Sequence, residues 1–147
     1  MRIRPARPDD LPALRGILER AYEVYIERMG RRPPPMDADL GPKVARGEVR
    51  VDDDDGPVAL VVLVREADHV LVENIAVDPA HQGRGVGRAL MEHAEAEARR
   101  AGVPELRLYT NELMTENLAI YAHLGYVETH RRTEDGLTRV FLTKRLD

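Results

Sequence analysis

Apolar residues along this chain follow two spacings, one typical of strands and one typical of helices. Residues 58–64 and 69–77 are almost continuously apolar, apart from Glu73 and Asn74, and predict strands that are covered on both faces. Apolar positions three or four residues apart predict a long helix after a cap at Asp9 or Asp10, and another over residues 85–101. The two apolar stripes are Leu11, Leu14, Leu18 and Tyr22, and then Val86, Leu90, Ala94, Ala98 and Ala101.

Shorter patterns complete the order of elements. The Asp55-Gly56 and Asp135-Gly136 pairs predict tight turns between strands, and the proline-rich residues 30–35 predict an irregular loop. The aspartates at 52–55 lack the spacing of a calcium-binding EF-hand, so we interpret them as a solvated turn. The remaining predictions are strands at 3–5, 49–52, 105–109, 126–133 and 137–146, a short helix at about 37–45, and a helix that Thr115 caps and Gly125 ends. The order β-α-α-β-β-β-α-β-α-β-β predicts one α/β domain over residues 1–147.

The composition is typical of a soluble globular protein. A chain of 147 residues with 43% apolar and 33% charged residues suffices for one domain with a buried core. The net charge of −4 gives no electrostatic reason to expect a nucleic acid as the main partner. No apolar run approaches the roughly 20 residues of a membrane span, and the first residues do not resemble a signal peptide. We therefore expect a cytoplasmic protein without a nucleic acid or membrane partner.

Two residue types are missing, and their absence limits the chemistry. The chain has no cysteine, which excludes disulfides, cysteine metal sites and a thiol nucleophile. It also has no serine, which excludes a Ser-His-Asp hydrolase. His69, His93 and His130 show no metal-ligand spacing, so no metal is predicted. Any group transfer is expected to proceed by direct attack of one substrate on another.

A glycine-rich segment between a strand and a helix is the strongest chemical signal. Gly83, Gly85 and Gly87 leave the backbone N–H groups accessible, and the dipole of the following helix favours an anion there. Arg84 and Arg88 can add full positive charges. The segment therefore predicts a phosphate site, although a purely structural turn would have the same composition.

Two other phosphate-binding motifs fit poorly. A nucleotide-binding P-loop requires Gly-Lys-Ser/Thr, whereas Gly87 is followed by Arg88 and Ala89. A dinucleotide fold places Gly-x-Gly-x-x-Gly after its first strand, whereas this loop lies past the middle of the chain. The residues alone leave the ligand open.

The wider pattern resembles the GNAT superfamily of N-acetyltransferases. Residues 77–87, which include Gln-Gly-Arg-Gly-Val-Gly, are similar to its acyl-CoA-binding motif, and residues 117–126 are similar to its downstream Asn-x-x-x-Tyr-x-x-x-Gly-aromatic element. The two motifs occur in the expected order, and residues 109–117 also resemble a subset of bacterial members. The resemblance covers essentially the whole chain. It implies a mixed, mostly antiparallel sheet of about seven strands flanked by about four helices.

The resemblance also implies roles for individual residues around acetyl-CoA as co-substrate. Tyr121 matches the general acid that protonates the departing thiolate, although a core tyrosine would match equally well. Asn117 lies one turn earlier on the same helix face and would bind the cofactor arm, unless it only caps the helix. The backbone of Ile75, Ala76 and Val77 would pair with the pantetheine. The pyrophosphate would lie against Gln82, Gly83, Arg84, Gly85, Val86, Gly87 and Arg88.

Glu73 is the candidate general base. Alternation places Glu73 on one strand face together with Leu71, Ile75 and Val77. A carboxylate on a strand that otherwise looks buried would suit the deprotonation of an ammonium, directly or through water. Pairing with an arginine, or a position near solvent, would account for Glu73 equally well.

We therefore expect an acetyl-CoA-dependent N-acetyltransferase without a covalent enzyme intermediate. The acceptor would be an amine of a small molecule, a peptide or a protein. Candidate residues for its wall are Tyr22, Tyr25, Arg28 and residues 33–36, although a solvated loop would account for them equally well. The alternatives are a catalytically silent CoA-binding regulatory or antitoxin-like module, and a transferase with another acyl donor. A monomer and a homodimer are both consistent with the arginine-rich final strands.

Overall fold

A seven-stranded mixed sheet forms the centre of the computed structural model, which describes residues 2–147; Met1, at the start of the predicted domain, lies outside the described residues. The strands are β1 (Ile3–Pro5), β2 (Val49–Asp53), β3 (Pro57–Arg65), β4 (Val70–Val77), β5 (Glu105–Asn111), β6 (Val127–Glu134) and β7 (Leu137–Arg145). The helices are α1 (Leu11–Met29), α2 (Gly41–Ala45), α3 (Val86–Ala101) and α4 (Thr115–His123). The sheet order is β1-β2-β3-β4-β5-β7-β6, and only β4 and β5 pair in parallel. The predicted fold class is confirmed.

The sheet separates two hydrophobic cores. Leu60 and Val62 of β3 contact the apolar face of α1, whereas Ala59 and Val61 contact α3 on the opposite face. All four side chains are fully buried, which explains the continuous apolar run in the sequence. Burial of one such leucine or valine contributes about 1.5–3 kcal/mol, so this strand holds both layers on the sheet.

The central strands β4 and β5 stay together for only three residue pairs. Val70–Val72 pair with Leu106–Leu108, and beyond this point β4 continues along β3 to Val77. Strand β5 instead follows β7 as far as Asn111. A wedge-shaped gap therefore opens between the ends of the two strands, and it lies beside the start of α3.

A bulge in β4 corrects the prediction for Glu73. The register against β3 shifts between Asn74 and Val72, so that Glu73 has no directly opposite residue. As a result Val70 and Val72 belong to the same core as Ile75 and Val77, and strict alternation fails. Glu73 stays on the face of Leu71 but does not share the face of Ile75 and Val77, because the extra residue reverses the alternation of side chains after Val72.

Other boundaries differ from the predictions in small ways. Met114, not Thr115, is the N-cap residue of α4, and no side chain caps that helix. The loop at 30–35 runs into a 3₁₀ turn at Pro34–Asp37, since proline fits the first position of such a turn. Asp10 does precede α1, but its carboxylate binds the Arg7 N–H and the Arg4 guanidinium instead of the helix N–H groups. No helix within residues 2–147 is long and apolar enough to cross a membrane.

Candidate active site

Two cavities meet in the gap between β4 and β5. The larger, of about 850 Å³, lies between α1, the end of β4, the start of α3, and α4; we call it the donor cleft. The smaller, of about 210 Å³, lies under residues 33–38 and against β4 and β5; we call it the acceptor cavity. The residues that line both are Tyr22, Ile75, Asn117 and Tyr121.

The glycine loop forms the far end of the donor cleft. Gly83 and Gly85 adopt left-handed backbone conformations, with φ of 80° and 78°, which turn the chain sharply into α3. Within residues 2–147, none of the backbone N–H groups from Gly83 to Arg88 donates a well-formed hydrogen bond. A concave row of free N–H groups at a helix N-terminus attracts an anion. This is the geometry that the sequence predicted for a phosphate site.

Side chains around the loop hold its position. The Asp78 carboxylate accepts hydrogen bonds from the Ala80 N–H and from the Arg20 guanidinium of α1, at 3.1 and 2.7 Å. The Arg20 guanidinium keeps the pKa of Asp78 below its usual value. The Gln82 amide donates to the Val77 carbonyl at 3.3 Å. Of the two predicted arginines, Arg88 lines the cleft while paired with Glu92.

The open edge of β4 presents backbone groups to the donor cleft. The Asp78 N–H donates to Val58 on β3, so the N–H and C=O groups of the preceding residue, Val77, point away from β3. The same holds two residues earlier, where the Ile75 carbonyl accepts a hydrogen bond from the Tyr22 hydroxyl. Within residues 2–147, Ile75 and Val77 therefore form a strand edge without a neighbouring strand, although their carbonyls already accept hydrogen bonds from Tyr22 and Gln82. An extended ligand could add to this edge.

Tyr121 reaches the junction of the two cavities from α4. Its ring is buried and lies edge-on to Tyr126, with ring centroids 5.8 Å apart. Its hydroxyl forms no hydrogen bond within residues 2–147, and the residue lines both cavities. Burial, together with the neighbouring Tyr25, raises its pKa to about 12. Tyr121 therefore remains a neutral hydrogen-bond donor at physiological pH.

An ion pair connects α1 and α4 across the donor cleft. The Arg28 guanidinium donates to the Glu116 carboxylate at 2.7 Å and to the Leu113 carbonyl at 3.1 Å. It also lies over the Tyr25 ring, 5.2 Å from the centroid. These contacts fix the N-terminal turn of α4, on which Asn117 faces both cavities. Asn117 does not cap the helix, because its amide contacts the sulfur of Met114 instead.

The acceptor cavity contains some of the predicted wall residues. Tyr22 and Pro33–Pro35 line it, whereas Met36 is buried in the α1 core, Tyr25 lines the donor cleft, and Arg28 pairs with Glu116. Glu73 also lines it and forms an ion pair with Lys43 of α2, not with an arginine. The sequence did not indicate Asn74, Thr110 and Asn111, which are buried polar residues of the same wall.

These features agree with the family to which the chain belongs. Residues 46–128, more than half of the chain, match the model of the acetyltransferase (GNAT) domain. The chain is therefore a member of the GNAT acetyltransferase family, and the resemblance drawn from the two motifs is confirmed. Within residues 2–147, no three His, Asp or Glu side chains lie together in a way that could hold a metal ion.

The relatives include enzymes with different acceptors. The bS18-alanine N-acetyltransferase of Escherichia coli (strain K12) is 42% identical over 74 residues, which cover 47% of this chain and 50% of that protein. The chain thus spans about half the length of the bS18 relatives it matches. The streptothricin acetyltransferase of Streptomyces lavendulae is 29% identical over 150 residues, covering 84% of this chain and 79% of that protein. The paiA N-acetyltransferase of Thermoplasma acidophilum, solved with coenzyme A, shares the fold, with a TM-score of 0.81 at 15% identity over 99% of this chain and 98% of that one.

Proposed function

We propose that this protein is an acetyl-CoA-dependent N-acetyltransferase that acetylates a primary amine by direct attack. The observation that supports this most strongly is the meeting of two cavities at Tyr121, whose hydroxyl has no hydrogen-bond partner within residues 2–147. One cavity has the shape and the free N–H groups for a diphosphate ligand, and the other is smaller and enclosed by side chains. A reaction between two bound substrates requires this arrangement.

Acetyl-CoA would lie along the donor cleft. The N–H groups of residues 83–88 would bind its pyrophosphate, whereas the predicted Gln82 N–H already donates to the Pro79 carbonyl. The strand edge at Ile75 and Val77 would pair with the pantetheine. The prediction for Ala76 fails, because its side chain faces the α1 core and its N–H and C=O groups point toward Leu60 of β3, away from the cleft. This alignment would bring the thioester near Tyr121 and Asn117, and the Val77 N–H would polarise its carbonyl.

The transfer then needs two proton movements. The amine nitrogen forms a bond to the carbonyl carbon, the C–S bond breaks, and the leaving sulfur takes the proton of Tyr121. The amine loses a proton to Glu73, directly or through water, and Tyr121 is reprotonated from solvent. No residue forms a covalent intermediate, which is consistent with the absence of cysteine and serine.

The role of Glu73 can be tested by removing its charge. We expect Glu73→Gln to lower kcat/KM for the amine about 10²-fold at pH 7, the contribution of a positioned general base. The rate should recover as the pH is raised toward the pKa of the acceptor, because free amine then replaces the base. Glu97→Gln is the matched control, since Glu97 pairs with Arg50 and lines neither cavity. An unchanged rate for Glu73→Gln would assign the base to another group.

The whole proposal can be tested by thiol release from acetyl-CoA. The panel should contain an alanine-initiated peptide, a lysine peptide and a streptothricin-type amine, because relatives act on a ribosomal protein alanine and on streptothricin. We expect release with one acceptor class, and mass spectrometry should show an added acetyl group on the amine. Thiol release that occurs only with a longer acyl-CoA would mean that the protein uses another acyl donor. CoA binding without release on any acceptor would contradict the enzyme and favour a regulatory module.

A further inference from the structure

A chain of hydrogen bonds fixes the direction of the Tyr22 hydroxyl. The Pro35 carbonyl can only accept, so the Asn74 side-chain nitrogen must point toward it, at 3.2 Å. The Asn74 oxygen therefore faces Tyr22, whose hydroxyl donates to it at 2.7 Å. The second neighbour of this hydroxyl, the Ile75 carbonyl at 3.1 Å, is also an acceptor. The hydroxyl hydrogen of Tyr22 is thus used in hydrogen bonds within the protein. A ligand can therefore bind this hydroxyl only by donating to a lone pair of its oxygen.

The position of this hydroxyl favours the acceptor side of the junction. Tyr22 lines both cavities, whereas its partner Asn74 and the following contact, Pro35, line only the acceptor cavity. Burial raises the pKa of Tyr22 well above its usual value, so the hydroxyl keeps its proton throughout the working pH range. Tyr22 and Tyr121 consequently differ in polarity, because Tyr22 can only accept and Tyr121 is free to donate.

This polarity matches the needs of an attacking amine. When the nitrogen lone pair is directed at the thioester carbon, the remaining N–H groups of the amine require hydrogen-bond acceptors. We propose that Tyr22 positions the acceptor amine by accepting one of its N–H groups, and that Asn74 sets the direction of the Tyr22 hydroxyl. This inference rests on the proposed function and adds the residue that orients the nucleophile.

The test separates acceptor binding from donor binding. We expect Tyr22→Phe to raise KM for the amine about 3- to 10-fold, the range of one neutral hydrogen bond, and to leave KM for acetyl-CoA unchanged. Tyr126→Phe is the matched control, since the Tyr126 hydroxyl has no hydrogen-bond partner within residues 2–147 and the residue lines neither cavity. An unchanged amine KM, or equal changes in both KM values, would overturn the inference.

A double-mutant cycle tests the part assigned to Asn74. Asn74→Leu should raise the KM for the amine. In the double variant with Tyr22→Phe, the free-energy effect on this KM should be smaller than the sum of the two single effects, because Asn74 acts partly through Tyr22. Full additivity, or no effect of Asn74→Leu, would overturn the role of Asn74. Thermal unfolding of each variant verifies that the comparison uses folded protein. A wild-type protein that releases no thiol with any amine would overturn the proposed function and this inference together. An active wild type whose KM for the amine is unchanged in Tyr22→Phe would overturn this inference alone.

Discussion

Replacing Tyr121 with phenylalanine should lower kcat for acetyl transfer about 10³-fold, within the range that a positioned general acid contributes. The ring would keep its packing against Tyr126, so the loss comes from the missing proton donor. Affinity for CoA should change little, because the hydroxyl makes no hydrogen bond within residues 2–147 and its proposed role is confined to the leaving sulfur. Pre-steady-state thiol release measures the step directly.

The pH dependence provides a second test of the same residue. Because the pKa of Tyr121 is raised to about 12, the acid remains protonated above the ordinary tyrosine value of about 10. The rate should therefore not fall between pH 9 and 10.5 as long as the protein stays folded. A decline in the rate that is centred near pH 10 in the wild type, and that is absent from Tyr121→Phe, would contradict the raised pKa of Tyr121.

Tyr126→Phe is the natural control for Tyr121→Phe. The Tyr126 hydroxyl is buried without a hydrogen-bond partner within the described residues and lines neither cavity. Its removal should leave kcat unchanged and cost no stability, since an unsatisfied buried hydroxyl does not stabilise the fold. Full turnover by Tyr121→Phe would show that water or another group protonates the thiolate.

Gly85→Glu should weaken CoA binding about 10⁴-fold. A carboxylate placed about 4 Å from a phosphate costs roughly 4 kcal/mol at the effective dielectric constant of a protein surface. A further cost of about 1–2 kcal/mol arises because Gly85 has a φ of 78°, which non-glycine residues rarely adopt. Isothermal titration calorimetry with CoA measures the loss.

Two controls separate the charge from the backbone. Gly85→Ala carries only the conformational cost and should weaken binding much less. Gly102→Glu introduces the same charge at a φ of 74°, in equally open space, at the opposite end of α3. It should leave CoA affinity at the wild-type value. Equal affinities of the wild type and Gly85→Glu would show that the loop does not bind the pyrophosphate.

The parts of the site that could be predicted depend on local sequence. The glycine loop follows from the spacing of Gly83 and Gly85 before an apolar helix stripe, and the shared face of Asn117 and Tyr121 follows from helical periodicity. Both features need no knowledge of distant residues. The β3 strand was equally clear, because a short and fully apolar run is typical of a strand covered on both faces.

The parts that were missed depend on pairing between distant segments. The bulge at Glu73 exists only in the register of β4 against β3, so alternation within β4 could not reveal it. The ion pair with Lys43 connects segments 30 residues apart along the chain, and the Tyr22–Asn74–Pro35 hydrogen bonds connect α1, β4 and a proline turn. Asn74 looked like an interruption of a strand, although it is the residue that joins these three segments.

The short contact between β4 and β5 has a consequence for the energetics of the whole molecule. Three residue pairs are the direct backbone link between the β1–β4 half of the sheet and the β5–β7 half. A ligand that lies in the gap would join the two halves where the strands separate. It would stabilise the folded chain by about 2.7 kcal/mol at a hundredfold excess over its dissociation constant. The cellular supply of the co-substrate would then govern how long the protein persists as well as how fast it works.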